Sequence, residues 1–227
     1  MDDITLDVRK FIYDTIVETT HPPIAQHVVD RFGLSRAEVV RLFRVLQDER
    51  QLTLIPGTDR IFMAHPFSAL ITPYRVRLRT GREYFINCAF DTLATHPMLD
   101  DAPMTISGFC QRTGVQVEML LEGGRIVWLQ PETTVVYLGI PARRWWENII
   151  DTCGNQFLFF TTEADAEAWE AETDRVGEGR SIPVETCLRL VDPVYRDKLK
   201  RDYVRPTADM LNKHLRSLGL VGAFWEY

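Results

Sequence analysis

Cysteine is scarce in this chain and never paired. Four of 227 residues are cysteine (Cys88, Cys110, Cys153 and Cys187), and no two have C-x-x-C spacing. That argues against a disulfide framework and against a zinc knuckle. Long apolar runs are also missing: none reaches the roughly 18 residues that cross a bilayer. The opening MDDITLDVRK is too charged for a signal peptide, so a cytoplasmic protein without a membrane partner is expected. Positive charge is in deficit. Lys and Arg number 26 against 32 Asp and Glu, a net −6, which gives a polyanion no bulk attraction. Internal repeats and low-complexity tracts are absent. What remains is an ordinary globular composition, 45% hydrophobic and 26% charged, enough for one large core or two small ones.

The pattern along the chain changes near residue 65. Before it, Phe11, Ile12, Ile16 and Val17 recur at helical spacing, and a second helix fits Pro23 to Arg31 behind Pro22. Ser35 and Glu38 have capping-box spacing ahead of a third helix that runs to about Arg50, with Val39, Val40, Leu42, Phe43 and Leu46 on one side. QLTLI, PGTD and RIFMA then read as a hairpin. This order is that of a winged helix, so residues 1–65 are expected to form a winged-helix-like N-terminal domain. Eight basic residues against ten acidic ones there leave a balance of −2, and DNA is not the expected partner.

HPFSALITP, residues 65 to 73, reads as a connector because of its two prolines and its lack of periodicity. Beyond it, strands alternate around Thr80-Gly81 and Thr113-Gly114, and RIVWLQ and TTVVYLGI continue the series. ARRWWENIIDTC is expected to be helical, FLFF a buried strand and EADAEAWEAETDRV a solvated acidic helix. The tail from Val184 carries one or two helices interrupted at Pro193 and Pro206. The fold class is therefore α+β, with residues 66–227 as an antiparallel-sheet catalytic domain.

The reactive feature is NCAFDTL, where Cys88 and Asp91 stand three apart in an apolar run. On a helix that spacing puts both on one face. A helix N-terminus would lower the Cys88 pKa, and apolar burial would favour the neutral acid of Asp91. A thiolate beside a loaded carboxyl is a nucleophile with a general acid. Capping and core packing are the commoner uses of such residues. No histidine is placed against Cys88: three of the five lie in the N-terminal part or connector, and His96 reads as a surface or capping residue. Trp128, Trp145 and Trp146 could line a pocket, although core or interface packing is the commoner role.

REYFINCAFDTL, then Cys110 after a strand, then Cys153 ahead of FLFF and an acidic helix bearing Trp169, resembles the organomercurial lyases (alkylmercury lyase, MerB). The resemblance covers the order of parts over nearly the whole chain. It implies a catalytic set of Cys88, Asp91 and Cys153, the same three residues holding the Hg(II) product, and a structural role for Cys110. It assigns nothing to Cys187. Where the best-known members carry two adjacent cysteines, Cys153 is followed by Gly154. The implied activity is protonolysis of a carbon–mercury bond, with an organomercurial and low-molecular-weight thiols as small-molecule partners and no cofactor. Two alternatives share the residues: a thiol-based soft-metal binder or sensor with a DNA-binding winged helix, or a related lyase with a non-mercury substrate. The oligomeric state is not legible.

Overall fold

The computed structural model describes all of residues 1–227. It is mixed helix and antiparallel sheet. Three helices come first: α1 (Asp3–Thr19), α2 (Ala25–Phe32) and α3 (Arg36–Asp48). The Ser35–Glu38 capping box closes on itself at the start of α3. Val39, Leu42, Phe43 and Leu46 form its buried side, while Arg41 and Arg44 stay exposed beside Asp48.

The strands β1 (Thr53–Leu54) and β2 (Ile61–Ala64) pair as a hairpin. They do not form a separate wing but continue into the main sheet. That eight-stranded sheet has the order β1-β2-β3-β5-β4-β6-β7-β8. Its further members are β3 (Phe67–Ser68), β4 (Tyr74–Leu78), β5 (Glu83–Ile86), β6 (Met104–Phe109), β7 (Gln116–Glu122) and β8 (Arg125–Gln130). The expected connector at 65–73 therefore contains β3, whose Phe67 pairs with Ala64 on one side and Ile86 on the other. Two consecutive buried residues carry no alternation from which a strand could be read.

A second, three-stranded sheet is ordered β10-β9-β11, from β9 (Val135–Leu138), β10 (Phe157–Phe160) and β11 (Arg180–Pro183). Between β5 and β6 runs α4 (Ala89–Met98), buried over its whole length and packed on α7 (Val184–Tyr195). The acidic helix is α6 (Glu163–Glu172), and α8 (Ala208–Ser217) completes the tail. One apolar core runs from Val8 through α4 to Trp225, so the helical start and the sheet share an interior. No helix is long and apolar enough to cross a membrane.

Two expectations about helices change. The stretch 142–156 is not one helix. It is a 3-10 turn (Ala142–Arg144), the short α5 (Ile149–Asp151) and a π-helical turn (Thr152–Gln156). Asn148 restarts the chain by capping the Asp151 amide, and the wider turn then aims Cys153 inward. Pro193 does not interrupt α7 but lies in its last turn. The carbonyl such a proline leaves unbonded is that of Arg189, and His214 on α8 lies 3.0 Å from it.

Candidate active site

Cys88 is the N-cap of α4, and its sulfur accepts from the Asp91 amide at 3.4 Å. One turn along, Asp91 points to the same side and is 2% exposed. The π-helical turn ahead of β10 brings Cys153 to this point, beside Cys88, its Sγ donating to Asp91 Oδ2 at 3.9 Å. The structure thus brings together Cys88, Asp91 and Cys153, all buried. Cys110 lies elsewhere, accepting from Thr161 Oγ1 at 3.6 Å, and Cys187 is buried on α7.

Three side chains without a signal in the sequence complete the cluster. Tyr195, from α7, donates to Asp91 Oδ1 at 2.8 Å. Asn87 donates to Asp91 Oδ2 at 3.1 Å. His65 Nδ1 faces the same oxygen at 3.5 Å, and its Nε2 faces Thr53 Oγ1 at 3.4 Å. Tyr13 of α1 donates to the His65 carbonyl at 3.1 Å, so the first helix helps set the imidazole. The donor atoms of His65, Asp91 and Cys153 all lie within 4.8 Å of one another. In the sequence His65 is only the start of a proline-marked connector. His96, expected to be a surface or capping residue, is instead fully buried and accepts from the Gly124 amide at 3.0 Å.

The acid strengths differ from the expectation that α4 would activate Cys88. Burial pushes the Cys88 thiol well up, with Cys153 and Asp91 adding to it, and the single amide contact is the weaker influence. The neighbouring Cys88 thiol and the nearby His65 hold the Cys153 thiol below its ordinary value despite burial. Burial works against a charged His65, but the neighbouring Asp91 and Cys153 outweigh that and hold its pKa up at about 9. Burial also pushes the Tyr195 phenol well up, which keeps it a donor. The two thiols are thus unequal: the Cys153 thiol is lowered and the Cys88 thiol raised.

His65, Asp91, Cys153 and Tyr195 line a narrow cavity of about 50 Å3, with Cys88 buried behind them. Its walls include Phe90, Trp145, Trp146, Phe157 and Tyr227, and Arg205 is its one arginine. Trp145 packs edge-on against Phe90 and Phe157, and Trp146 packs edge-on against His65. Trp128 is half-exposed on β8 and takes no part.

Residues 67–196 match the family model described as MerB, alkylmercury lyase. A curated relative, the alkylmercury lyase of Staphylococcus epidermidis (strain ATCC 12228 / FDA PCI 1200), is 29% identical over 119 residues, 52% of this chain and 52% of its own length. The chain spans about half the length of that curated relative. Among solved structures, the mercury-bound form of MerB2 superposes with a TM-score of 0.69. That match covers 86% of this chain and 91% of the other at 20% identity, and it bears on the fold alone.

Proposed function

We propose carbon–mercury bond cleavage by protonolysis as the activity of this chain, which belongs to the alkylmercury lyase family. The observation that carries this reading is the convergence of two buried thiols on one buried aspartate, Cys153 at its carboxyl and Cys88 at its backbone amide. Mercury(II) is a soft ion that prefers thiolate sulfur. A substrate R–Hg–X enters the apolar slot, and the Cys153 thiolate displaces X. Cys88 then bonds to the same mercury and gives up its proton, for which Asp91 is the acceptor beside it. With two sulfurs on mercury, electron density moves to the carbon. Asp91 returns the proton to that carbon, the electron pair of the C–Hg bond becomes the new C–H bond, and R–H leaves. Hg(II) remains on Cys88 and Cys153, beside Asp91, until two external thiols take it and restore the cysteine protons.

Tyr195, Asn87 and His65 fix the carboxylate so that it faces both sulfurs. Water is excluded by the aromatic walls, which strengthens these interactions. The helical N-terminal part serves this site as a scaffold, and DNA is not a partner in this reading.

The test is gas release. The chain is incubated with methylmercury and excess thiol, and methane is measured against a thiol-only control. Methane from the unsubstituted protein is expected. Asp91→Asn keeps both sulfurs and is expected to retain Hg(II) while losing at least about a hundredfold in turnover, as when a general acid is removed. Mercury retention with no methane from the unsubstituted chain would identify a soft-metal binder instead.

A further inference from the structure

We propose that Arg205 forms a carboxylate-binding subsite at the outer end of the slot, for an anionic group on the organic part of the mercurial or on the displacing thiol. The proposal rests on the lyase reading and names the class of molecule that the site would select.

Arg205 stands between two spaces. It lines the slot that contains Asp91 and Cys153, and it also lines a wider surface hollow of about 550 Å3 with Arg50, Gln51 and Tyr203. Its guanidinium lies over the Trp146 ring, 4.2 Å from the centroid, and Nη2 donates to the Tyr227 hydroxyl. Its charged or titratable neighbours are Arg50, Lys198 and the phenols Tyr195, Tyr203 and Tyr227, and no carboxylate forms an ion pair with it. Arg50 lies over the same indole, 5.6 Å from its centroid. Trp146 therefore carries two guanidinium groups at the edge of an apolar slot.

A largely buried cation beside a second cation, with no acid to neutralise it, is unfavourable unless an anion arrives. Burial and Arg50 both weigh against its charge, as expected for an unpaired guanidinium. A guanidinium held over an aromatic face still has N–H donors to spare, and their fork matches the two oxygens of a planar carboxylate. Asp48 and Glu49 also line the hollow and are exposed. They would repel a dianion such as phosphate more than a single carboxylate. The slot is narrow, so a substituent longer than a methyl group must project past Arg205 into the hollow. The same is true of a carboxylated thiol whose sulfur reaches the mercury.

The experiment uses the full chain, with two arms. In the first, 4-(hydroxymercuri)benzoate and phenylmercury are compared as substrates with 2-mercaptoethanol as thiol. In the second, 3-mercaptopropionate and 2-mercaptoethanol are compared as thiols with phenylmercury as substrate. The readout is the ratio of kcat/KM for the carboxylated over the neutral member, taken within each variant, so that a general loss of folding cancels. The unsubstituted chain is expected to favour the carboxylate in at least one arm by roughly tenfold to a hundredfold. Arg205→Met is expected to bring that ratio near one, and Arg205→Lys to keep part of it. The arm that responds names the source of the carboxylate. Equal ratios in the unsubstituted chain and Arg205→Met, in both arms, overturn the proposal. Equilibrium binding of the two mercurials, followed by tryptophan fluorescence, gives the same comparison without turnover. Absence of cleavage would thus count against the lyase reading, and absence of a carboxylate preference in binding against the subsite.

Discussion

Cys88 and Cys153 are chemically the same side chain, and their surroundings make them unequal. Cys88 has one amide contact to set against complete burial, while Cys153 has Cys88 and His65 beside it. The two partners of the Cys153–His65 pair have opposite pH dependences. His65 is raised from 6.5 to about 9, so its contribution to stability is fully present below about 6.5 and is lost as pH rises through about 9. Cys153 is lowered, so its contribution is present at alkaline pH and lost as pH falls through its depressed pKa. The thiolate–imidazolium pair is thus confined between those limits. Ultraviolet thiolate absorbance is expected to rise at a pH below that of a free thiol, to vanish in Cys153→Ser and to move upward in His65→Gln. An unmoved titration in His65→Gln would remove the imidazole from the account. At this scale the sequence carried Cys88 and Asp91 through their spacing, and Cys153 only through family resemblance. His65 and Tyr195 had no local signature, because a loop and a helix bring them in from elsewhere, and Asn87, four residues before Asp91, is of a type that carries no mark of this role.

Elements with a turn residue at each end were legible in advance: the hairpins at Thr80-Gly81 and Thr113-Gly114, the capped α3 and the α+β order. Elements set by tertiary partners were not. β3 is too short to show a period, and the π-helical turn at Cys153 exists because β10 must begin where β9 can pair with it. One backbone approach holds β9 in that role. Gly179 passes so close to Tyr137 of β9 that an added Cβ would fall 2.1 Å from the ring. The Tyr137 hydroxyl and the amides of Gly177 and Gly179 all donate to Glu170. Gly179→Ala is expected to cost about 1–3 kcal/mol by overpacking. Urea denaturation would measure it, and an unchanged midpoint would show that the loop before β11 yields freely.

Across the whole molecule, the sheet and the core continue through the boundary at residue 65 that the sequence suggested. Arg9 of α1 donates from Nε to Gln51 at 2.8 Å and from Nη1 to the Lys200 carbonyl at 2.9 Å, and a further bond reaches the Lys198 carbonyl. The two parts are expected to unfold together. All five tryptophans lie beyond residue 66, and only Trp146 touches the earlier part, at His65 and Arg50, so their fluorescence reports mainly the later part, whereas far-ultraviolet dichroism also reports α1 to α3. Coincident urea transitions by the two probes are expected. A separate early loss of dichroism would make the helical start an independent unit.

The bonds from Arg9 also set a schedule for synthesis. Its partners at Lys198 and Lys200 lie 189 and 191 positions downstream. An N-terminal part normally folds as soon as it emerges from the ribosome. Here the first helix waits for nearly the last tenth of the chain, while Cys88 and Cys153 emerge well before it arrives. For that interval both thiols are open to any oxidant or soft metal in their surroundings, and such long-range closure is intrinsically slow. The nascent chain is therefore the form of this protein most easily poisoned by a soft metal ion.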